Sequence, residues 1–374
     1  MKYSNWYERG IETSKLGFGC MRFTTHDGIV DKEKAIELVR YAYLNGVTYF
    51  DTAYVYLGGQ SEPTLGEALS IYPRSSFYLA TKFSFWSVTT EGEMDKLINE
   101  QLANLKTDYI DFYLIHAMNK DRFEYMKKYH ILDKVKQWKE EGKIRHIGFS
   151  FHDDYDTFIN ILNYYDWEFC QIQFNYIDYT IQQGIKGYEE LVKREIPIIV
   201  MEPLKGGLLT NYNPTIARSL TDYNNDSLTK WALRWVLSKK GVMTLLSGMN
   251  EMSQLEENLE ITSNFVPLTE EEFGLVDEAA KKLNSVQVVG CTGCKYCMPC
   301  PKLVNIPGNL KLLNQYEMYR NKGNISYMYS LLERENASAL NCVKCGACVK
   351  KCPQHINIPE FLERVREMVD ECRK

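Results

Sequence analysis

The chain has 374 residues, of which 45% are hydrophobic and 25% charged, with a formal net charge of −5. This length indicates about two domains of roughly 100–200 residues, and the composition is typical of globular proteins. The acidic balance excludes a basic nucleic-acid surface, and no apolar run approaches the ~20 residues of a membrane span. The N-terminal segment MKYSNWYERG is polar and lacks an apolar signal region. We therefore expect a cytoplasmic protein that binds neither nucleic acid nor membranes.

Eight short apolar runs alternate with longer amphipathic stretches up to about Leu283. Their near-continuous apolar character is typical of strands that are buried on both faces. In chain order they are Leu16–Cys20, Val47–Phe50, Phe77–Thr81, Asp111–Ile115, Ile144–Gly148, Phe169–Gln173, Pro197–Met201 and Val242–Leu246. The stretches between them predict helices, one of which has Asp31 as its N-cap and stops at Gly46.

Eight strands alternating with helices predict an α/β fold, a (β/α)8 TIM barrel over residues 1–284. A doubly wound sheet is the alternative. Its dinucleotide fingerprint is missing, however, because GFGCMRF has two glycines and no third at the required spacing. The rest of the chain, 285–374, predicts a small, mostly α-helical ferredoxin-like iron–sulfur domain. It has a long helical segment, NLKLLNQYEMYRNKGNISYMYSLLE, and a final helix with Pro359 in its first turn.

Eight of the eleven cysteines lie in two runs near the C-terminus, a density that indicates metal ligation in a chain without a secretory signal. The second run is C-x2-C-x2-C-x3-C-P, in which the fourth cysteine ligates the other cluster. The first run is less regular, since its last gap has two residues instead of three. The pattern predicts two [4Fe–4S] clusters, one on Cys291, Cys294, Cys297 and Cys352, the other on Cys300, Cys342, Cys345 and Cys348. Structural zinc is the alternative, and His355 is expected at a helix entrance rather than as a ligand.

Ionisable side chains follow consecutive barrel strands, at the end where such barrels carry their active sites. Asp51 follows the second strand, with Tyr56 five residues later, and Lys82 and His116 follow the third and fourth. Tyrosine is a weak acid with a pKa near 10, and an adjacent ammonium stabilises the phenolate. Lys82 can supply that charge, held by Asp51. Tyr56 could then protonate a carbonyl oxygen that His116 orients.

Asp51, Tyr56, Lys82 and His116 resemble, in order and spacing, the catalytic tetrad of the aldo-keto reductase family. The segments LGFGCMR, DTAYVYLGGQSE, YIDFYLIH, IRHIGFS and QLEENL are similar to motifs of that family. The resemblance implies that Ser150 and Gln171 contact the nicotinamide amide, that Glu257 and Asn258 hold the adenine, and that EPLKGGLL passes beneath the pyrophosphate. The cofactor-binding residues that it implies also include Gly19, Cys20, Met21, Met201, Glu202, Pro203, Leu204, Gly206, Ser247, Gly248 and Gln254.

The chain departs from the family pattern in three ways. Met201 stands where many relatives have an aromatic residue, and Gly248 and Gln254 stand where NADPH-specific relatives have Lys and Arg around the 2′-phosphate. The loss of two cations weakens a phosphate site, so NADPH, NADH and a flavin all stay open. HAMN also lacks a tryptophan that relatives often carry after the fourth strand. Phe85 and Trp86 are candidates to replace it, with ordinary loop packing as the alternative.

Three functional hypotheses follow. The first is an oxidoreductase that reduces an aldehyde or ketone with NAD(P)H, with clusters for electron transfer or sensing. The second is an electron-transfer oxidoreductase that couples a ferredoxin-like partner to a flavin or redox-active substrate in the barrel, because nicotinamide alone does not split a hydride into single electrons. The third is a redox-gated binding or regulatory subunit without turnover, against which the intact tetrad argues.

Overall fold

Eight parallel strands close into a barrel in the computed structural model, which describes residues 1–7, 9–88, 90–286, 288–291, 293, 295–352 and 354–374. The strands of the described residues are β1 (Tyr3–Asn5), β2 (Glu12–Ser14), β3 (Leu16–Gly19), β4 (Thr25–His26), β5 (Ile29–Val30), β6 (Tyr49–Asp51), β7 (Tyr78–Phe83), β8 (Ile110–Met118), β9 (Ile144–Phe151), β10 (Phe169–Gln173), β11 (Ile198–Met201) and β12 (Val242–Ser247).

Among the described residues, helices alternate with the barrel strands along the chain and make up most of the C-terminal region. They are α1 (Lys32–Leu44), α2 (Ser61–Leu69), α3 (Glu91–Leu105), α4 (Lys120–Lys128), α5 (Ile131–Glu140), α6 (Tyr155–Leu162), α7 (Gly184–Lys193), α8 (Pro214–Asn224), α9 (Leu228–Leu237), α10 (Met252–Ser263), α11 (Glu270–Ser285), α12 (Ile306–Tyr319), α13 (Lys322–Arg334) and α14 (Ile358–Arg373). Among the described residues, no helix is both long and apolar enough to cross a membrane.

The barrel strands pair in sequence order, from β3 through β6 to β12, and β12 pairs with β3 to close the ring. Each of the eight predicted apolar runs forms one of these strands. The (β/α)8 prediction is therefore confirmed, and the doubly wound alternative is wrong because an open sheet would leave two unpaired edge strands. The predicted cap of the first helix is also present, since Asp31 accepts a hydrogen bond from the Lys34 N–H and Gly46 follows with φ +88°.

Three predicted strand ends and one predicted helical segment need correction. Asp51 is the last residue of β6 instead of following it, and Lys82 and His116 lie inside β7 and β8, because these strands run further than predicted. β8 continues through a register shift to Met118. The helical segment between the cysteine runs is not continuous. It breaks after α12 at Arg320, whose φ of +50° ends the helix, and Asn321 then caps α13 by accepting from the Asn324 N–H.

A hairpin not predicted from the sequence, β1–β2, brings Trp6 into the barrel core. Trp6 is buried, and its ring centroid lies 4.7 Å from that of Phe112 on β8. The indole Nε1–H donates to Thr13 Oγ1 over 2.8 Å, so the polar atom is satisfied without water. The hairpin therefore covers apolar side chains of the barrel interior.

Contacts divide the chain into two compact units. One comprises Met1–Gly206 and Thr229–Glu271, and the other comprises Gly207–Leu228 and Glu272–Lys374. The second unit has its own apolar core, in which α12 and α14 bury Leu310, Leu313, Leu362 and Val365. The domain boundary after residue 284 remains a prediction.

Candidate active site and cysteine groups

A buried ion pair lies at the carboxyl ends of two neighbouring strands. Lys82 Nζ on β7 donates to Asp51 Oδ1 at the end of β6 over 2.6 Å, and to the Thr52 carbonyl over 2.7 Å. The two side chains are 1% and 4% exposed. Burial acts to lower the pKa of Lys82, but the nearby Asp51 and Tyr56 outweigh it and raise that pKa. The lysine is therefore a fixed cation.

Tyr56 lies next to this cation and faces His116. Lys82 Nζ is 4.7 Å from the centroid of the Tyr56 ring, and the Tyr56 and His116 rings are 5.7 Å apart at 75°. Burial raises the pKa of Tyr56, and the Lys82 charge offsets only part of that rise. The expected lowering is thus outweighed by desolvation. Tyr56 is protonated at neutral pH, as a proton donor must be.

His116 is a neutral ring in this environment. Burial lowers the pKa of His116 well below its ordinary value, and Lys82, Arg122 and His152 lower it further. A neutral imidazole can donate or accept one hydrogen bond at each nitrogen. The structure therefore brings together all four predicted tetrad residues, two as a fixed ion pair and two as neutral hydrogen-bonding groups.

A buried hydrogen-bond network not predicted from the sequence supports the backbone at Lys82. Glu62 on α2 accepts from Thr81 Oγ1 over 2.6 Å and from Gln101 Nε2 over 2.9 Å. Gln101 also donates to the Lys82 carbonyl, and its Oε1 accepts from Tyr113. Burial raises the pKa of Glu62. Glu62 lies among the buried positions of α2. A glutamate at such a position needs hydrogen-bond partners, and this is the feature from which the network could have been predicted.

Gln171, one of the two residues implied to hold the nicotinamide amide, offers an unpaired polar atom, as do two tetrad residues. Gln171 Nε2 donates to Met201 Sδ over 3.7 Å, and Ser150 Oγ accepts from the Ala117 N–H over 2.7 Å. Gln171 Oε1, Asp51 Oδ2 and His116 Nδ1 are buried and have no hydrogen-bond partner among the described residues. Such atoms are rare in folded proteins except where a ligand or catalysis needs them. Gln171 thus fits a carboxamide, which could donate to its free oxygen.

Two of the residues implied to lie near the adenine make hydrogen bonds within the chain. Asn258 is buried and donates to Ser247 Oγ over 2.9 Å, and Gln254 Oε1 accepts the N–H groups of Asn250 and Glu251 at the start of α10. Cys20 is fully buried, whereas the neighbouring Met21 is 54% exposed. The remaining implied residues lie around the carboxyl ends of the strands. They are Gly19 at the end of β3, Ser247 at the end of β12, Gly248 directly after β12, Glu257 on α10, and Glu202, Pro203, Leu204 and Gly206 after β11.

Arg22, a residue not singled out from the sequence, packs its aliphatic stem against Gly248 and places its guanidinium beside Gly206. A Cβ on Gly248 would lie 3.0–3.1 Å from the Arg22 Cβ, Cγ and Cδ atoms, and one on Gly206 would lie 3.2 Å from Nη2. Arg22 Nη2 donates to Glu202 over 3.1 Å. Arg22 therefore occupies the space that a side chain at 248 would need. Its position at the end of the segment LGFGCMR, shortly after the first barrel strand, is the sequence feature by which Arg22 could have been identified.

Trp86 rather than Phe85 contacts His116. Its ring centroid lies 5.2 Å from that of His116, at 80°, and Arg122 Cζ lies 4.4 Å from the Trp86 ring. Phe85 instead packs against Phe83 and Tyr125. Trp86 is 55% exposed. It forms an aromatic wall beside His116, and Phe85 has an ordinary packing role.

The cysteines of the second unit surround two separate spaces. One, of about 310 Å³ including its part open to solvent, is lined by Cys291, Cys297 and Cys352. The other, of about 330 Å³, is lined by Cys300, Cys342, Cys345 and Cys348. These are the two predicted ligand sets, apart from Cys294, which lies outside the described residues. In the part of the chain that the structure describes, no three His, Cys, Asp or Glu side chains are arranged to hold a single metal ion.

Comparisons with known proteins identify the family of this chain and its C-terminal domain. Residues 15–281 match the model of the aldo/keto reductase family, and residues 290–356 match that of a 4Fe-4S dicluster domain. L-galactose dehydrogenase from Arabidopsis thaliana is 27% identical over 67% of this chain and 84% of its own length. The NADH-specific methylglyoxal reductase of Escherichia coli is 25% identical over 73% of this chain and 96% of its own.

Solved structures show the same barrel. The holo form of an aldo-keto reductase from Bacillus halodurans has a TM-score of 0.63 and 24% identity, over 75% of this chain and 96% of that one. An aldo-keto reductase from Klebsiella pneumoniae in complex with NADPH has a TM-score of 0.60 and 20% identity, over 74% and 95%. At these identities the likeness establishes the fold. The chain belongs to the aldo/keto reductase family of oxidoreductases and carries, C-terminal to that region in sequence, a 4Fe-4S dicluster domain.

Proposed function

We propose that the barrel reduces an aldehyde or ketone with NAD(P)H and that Tyr56 donates the proton to the carbonyl oxygen. The observation that carries this proposal is the fixed Lys82–Asp51 pair beside a protonated Tyr56 and a neutral His116. A general acid has to hold its proton until negative charge develops on the substrate, and a nearby cation then stabilises the phenolate that remains.

Each side chain has a separate task in this reaction. Tyr56 Oη–H donates to the carbonyl oxygen, and His116 contributes a second hydrogen bond that orients the carbonyl. Lys82 stabilises the Tyr56 phenolate electrostatically, and Asp51 keeps Lys82 charged in its buried position. Trp86 covers one side of the carbonyl site. A bound nicotinamide would supply the hydride, with Gln171 and Ser150 positioned to orient its amide.

The cation of Arg22 supports recognition of a phosphorylated cofactor. The expected lysine at 248 is absent, but Arg22 occupies the neighbouring space and carries the same charge. A cofactor phosphate could replace Glu202 as the partner of the guanidinium. A related protein is named as NADH-specific, and the Klebsiella structure contains NADPH. Arg22 favours NADPH for this chain, with NADH as the alternative.

The second unit would hold two [4Fe–4S] clusters in the two cysteine groups, which supply single-electron chemistry when bound. Cys345 is exposed, so the group of Cys300, Cys342, Cys345 and Cys348 is accessible to an outside electron carrier. This observation favours a second candidate function, electron exchange with a ferredoxin-like partner. A flavin or a redox-active substrate would then be needed to couple single electrons to the barrel.

The Y56F variant tests the proton-donor role. Because general acid catalysis contributes about 10²–10⁴-fold, we expect kcat for NADPH-dependent carbonyl reduction to fall by that factor, with the affinity for NADPH unchanged. Y54F is the matched control, since Tyr54 donates to Glu100 and takes no part in the tetrad. Equal kcat values for Y56F and the wild type would contradict the proposal.

An anaerobic absorption spectrum of the loaded protein, before and after addition of NADH and then NADPH, distinguishes the two functions of the clusters. Bleaching of the cluster absorbance would indicate that hydrides and single electrons are coupled within this chain, and would require a flavin or radical step. Unchanged clusters in a protein that still reduces carbonyls would favour sensing, structure or an outside electron partner.

A further inference from the structure

A guanidinium without a carboxylate partner lies beside the carbonyl site. Arg122 is half-buried near the start of α4, six residues after His116. Its Nη1 donates to the Ala117 carbonyl over 2.5 Å, and its Cζ lies 4.4 Å from the Trp86 ring. Within the residues that the structure describes, Ala117 is the only hydrogen-bond acceptor for the Arg122 guanidinium, and no Asp or Glu forms an ion pair with it.

The backbone next to His116 is shaped to hold this side chain. Ala117 has φ +49°. This left-handed conformation is energetically unfavourable for any residue other than glycine, because the Cβ atom crowds the backbone. In that conformation the Ala117 N–H donates to Ser150 Oγ and the Ala117 carbonyl accepts from Arg122. The register of β8 shifts at the same point. The strained residue thus couples the position of the guanidinium to the strand that carries His116.

Arg122 and His116 contact the same aromatic side chain. The Trp86 ring centroid is 5.2 Å from that of His116, and the Arg122 guanidinium lies over the Trp86 ring. A molecule whose carbonyl oxygen is held by Tyr56 and His116 would therefore have Arg122 within a few bonds' length. Arginine has five N–H donors, of which Ala117 uses one, so donors remain for a carboxylate.

We propose that Arg122 determines substrate class, and that the substrate of the barrel is an oxo acid, a small molecule with a carboxylate a few bonds from its aldehyde or ketone. This inference rests on the proposed carbonyl reduction and adds the anionic group that the substrate must carry. The carboxylate binds the free N–H groups of Arg122 while the carbonyl is held by Tyr56 and His116. Trp86 packs against the carbon chain between them.

The test compares acids with neutral analogues in the full-length, cluster-loaded protein under anaerobic conditions. The substrates are 4-oxobutanoate and 5-oxopentanoate, each with its methyl ester. We expect the wild type to favour the acids in kcat/KM by about 10- to 100-fold, the range that a charge-assisted hydrogen bond supplies. R122M should abolish the preference by raising KM for the acids, with little change for the esters. R122K should retain part of it.

Three controls show whether the preference for acids comes from the Arg122 guanidinium itself. K127M removes a cation from the same helix, one that pairs with Glu124, and should leave the preference intact. Thermal unfolding shows whether R122M is folded. Quenching of tryptophan fluorescence by 4-oxobutanoate reports binding without turnover, and R122M should weaken it.

The outcomes distinguish failure of this inference from failure of the proposed function. Acids and esters reduced equally well, or R122M lowering kcat equally for both, would overturn the role of Arg122 while carbonyl reduction stands. Binding of 4-oxobutanoate that depends on Arg122, in a protein that reduces none of the four compounds, would support the anion site and contradict the proposed reduction.

Discussion

Replacement of Asp51 by Asn tests the electrostatic core of the site. The substitution keeps the shape of the side chain but removes the charge that Lys82 faces at 2.6 Å, where the two side chains are 1% and 4% exposed. At an effective dielectric constant of about 20, a pair at this distance attracts by roughly 6 kcal/mol. Loss of one partner from a buried pair costs about 3–5 kcal/mol, because the remaining ion is left uncompensated. For a barrel of this size that cost lowers Tm by about 6–20 °C.

The difference in stability between the wild type and D51N should depend on pH. In the wild type the Asp51 carboxylate helps to raise the pKa of Lys82 above its ordinary 10.5. Burial raises the pKa of Asp51, so the ion pair stabilises the fold from above that raised pKa up to pH 10.5, and the stabilisation is lost as pH rises through the raised pKa of Lys82. In D51N, burial dominates and lowers the pKa of Lys82. The variant then gains stability as pH rises through that lowered pKa. The difference in Tm between wild type and D51N should therefore shrink with increasing pH.

The pH dependence of kcat is the second measurement on D51N. Because Lys82 must be charged to stabilise the Tyr56 phenolate, kcat of D51N should fall with increasing pH at a lower pH than kcat of the wild type. D111N is the matched control. Asp111 is equally buried and pairs with Arg74 and Arg145, but it lies near the amino end of β8. D111N should lower Tm without moving the pH profile of kcat. A D51N protein with the Tm and kcat profile of the wild type would refute the reasoning.

Three further predictions concern other parts of the chain. W6A removes the buried indole that packs on Phe112 and should lower the free energy of unfolding by about 3–5 kcal/mol, measured by urea titration. R22M should raise the Kd of NADPH by about tenfold or more, measured by cofactor fluorescence, and equal effects on NADPH and NADH would place Arg22 at the pyrophosphate instead of the 2′-phosphate. Burial lowers the pKa of His116 below 6.5, so the folded state binds fewer protons there than the unfolded state and loses stability as pH falls below 6.5. Compared with H116N, the wild type should lose up to about 1.4 kcal/mol per pH unit in that window, measured by urea titration at each pH.

The structural elements that the sequence predicted well share a local cause. Strands buried on both faces are continuously apolar, which is why Phe169–Gln173 is predicted with the bounds it has in β10. Asp31 and Gly46 act on the helix end next to them, so their capping roles can be identified from neighbouring residues alone. Barrel topology and cluster ligation each require particular residue types at particular spacings, so the sequence could predict which side chains lie together at the strand ends and in the two cysteine groups, whereas their roles stay predictions.

The tertiary structure alone decided which distant side chains meet. Arg22 and Gly248 are 226 positions apart in the chain, and only closure of the barrel between β12 and β3 places the arginine over the glycine. Arg122 is an ordinary helix cation in the sequence, and only the strained turn at Ala117 and the position of Trp86 set it beside His116. Desolvation likewise depends on the folded environment. A neighbouring Lys82 suggests a lowered pKa for Tyr56, whereas burial in the folded chain raises that pKa. Sequence patterns thus determine the local secondary structure and which residue types are present. Long-range contacts and burial determine which side chains meet in this site and which of them are charged.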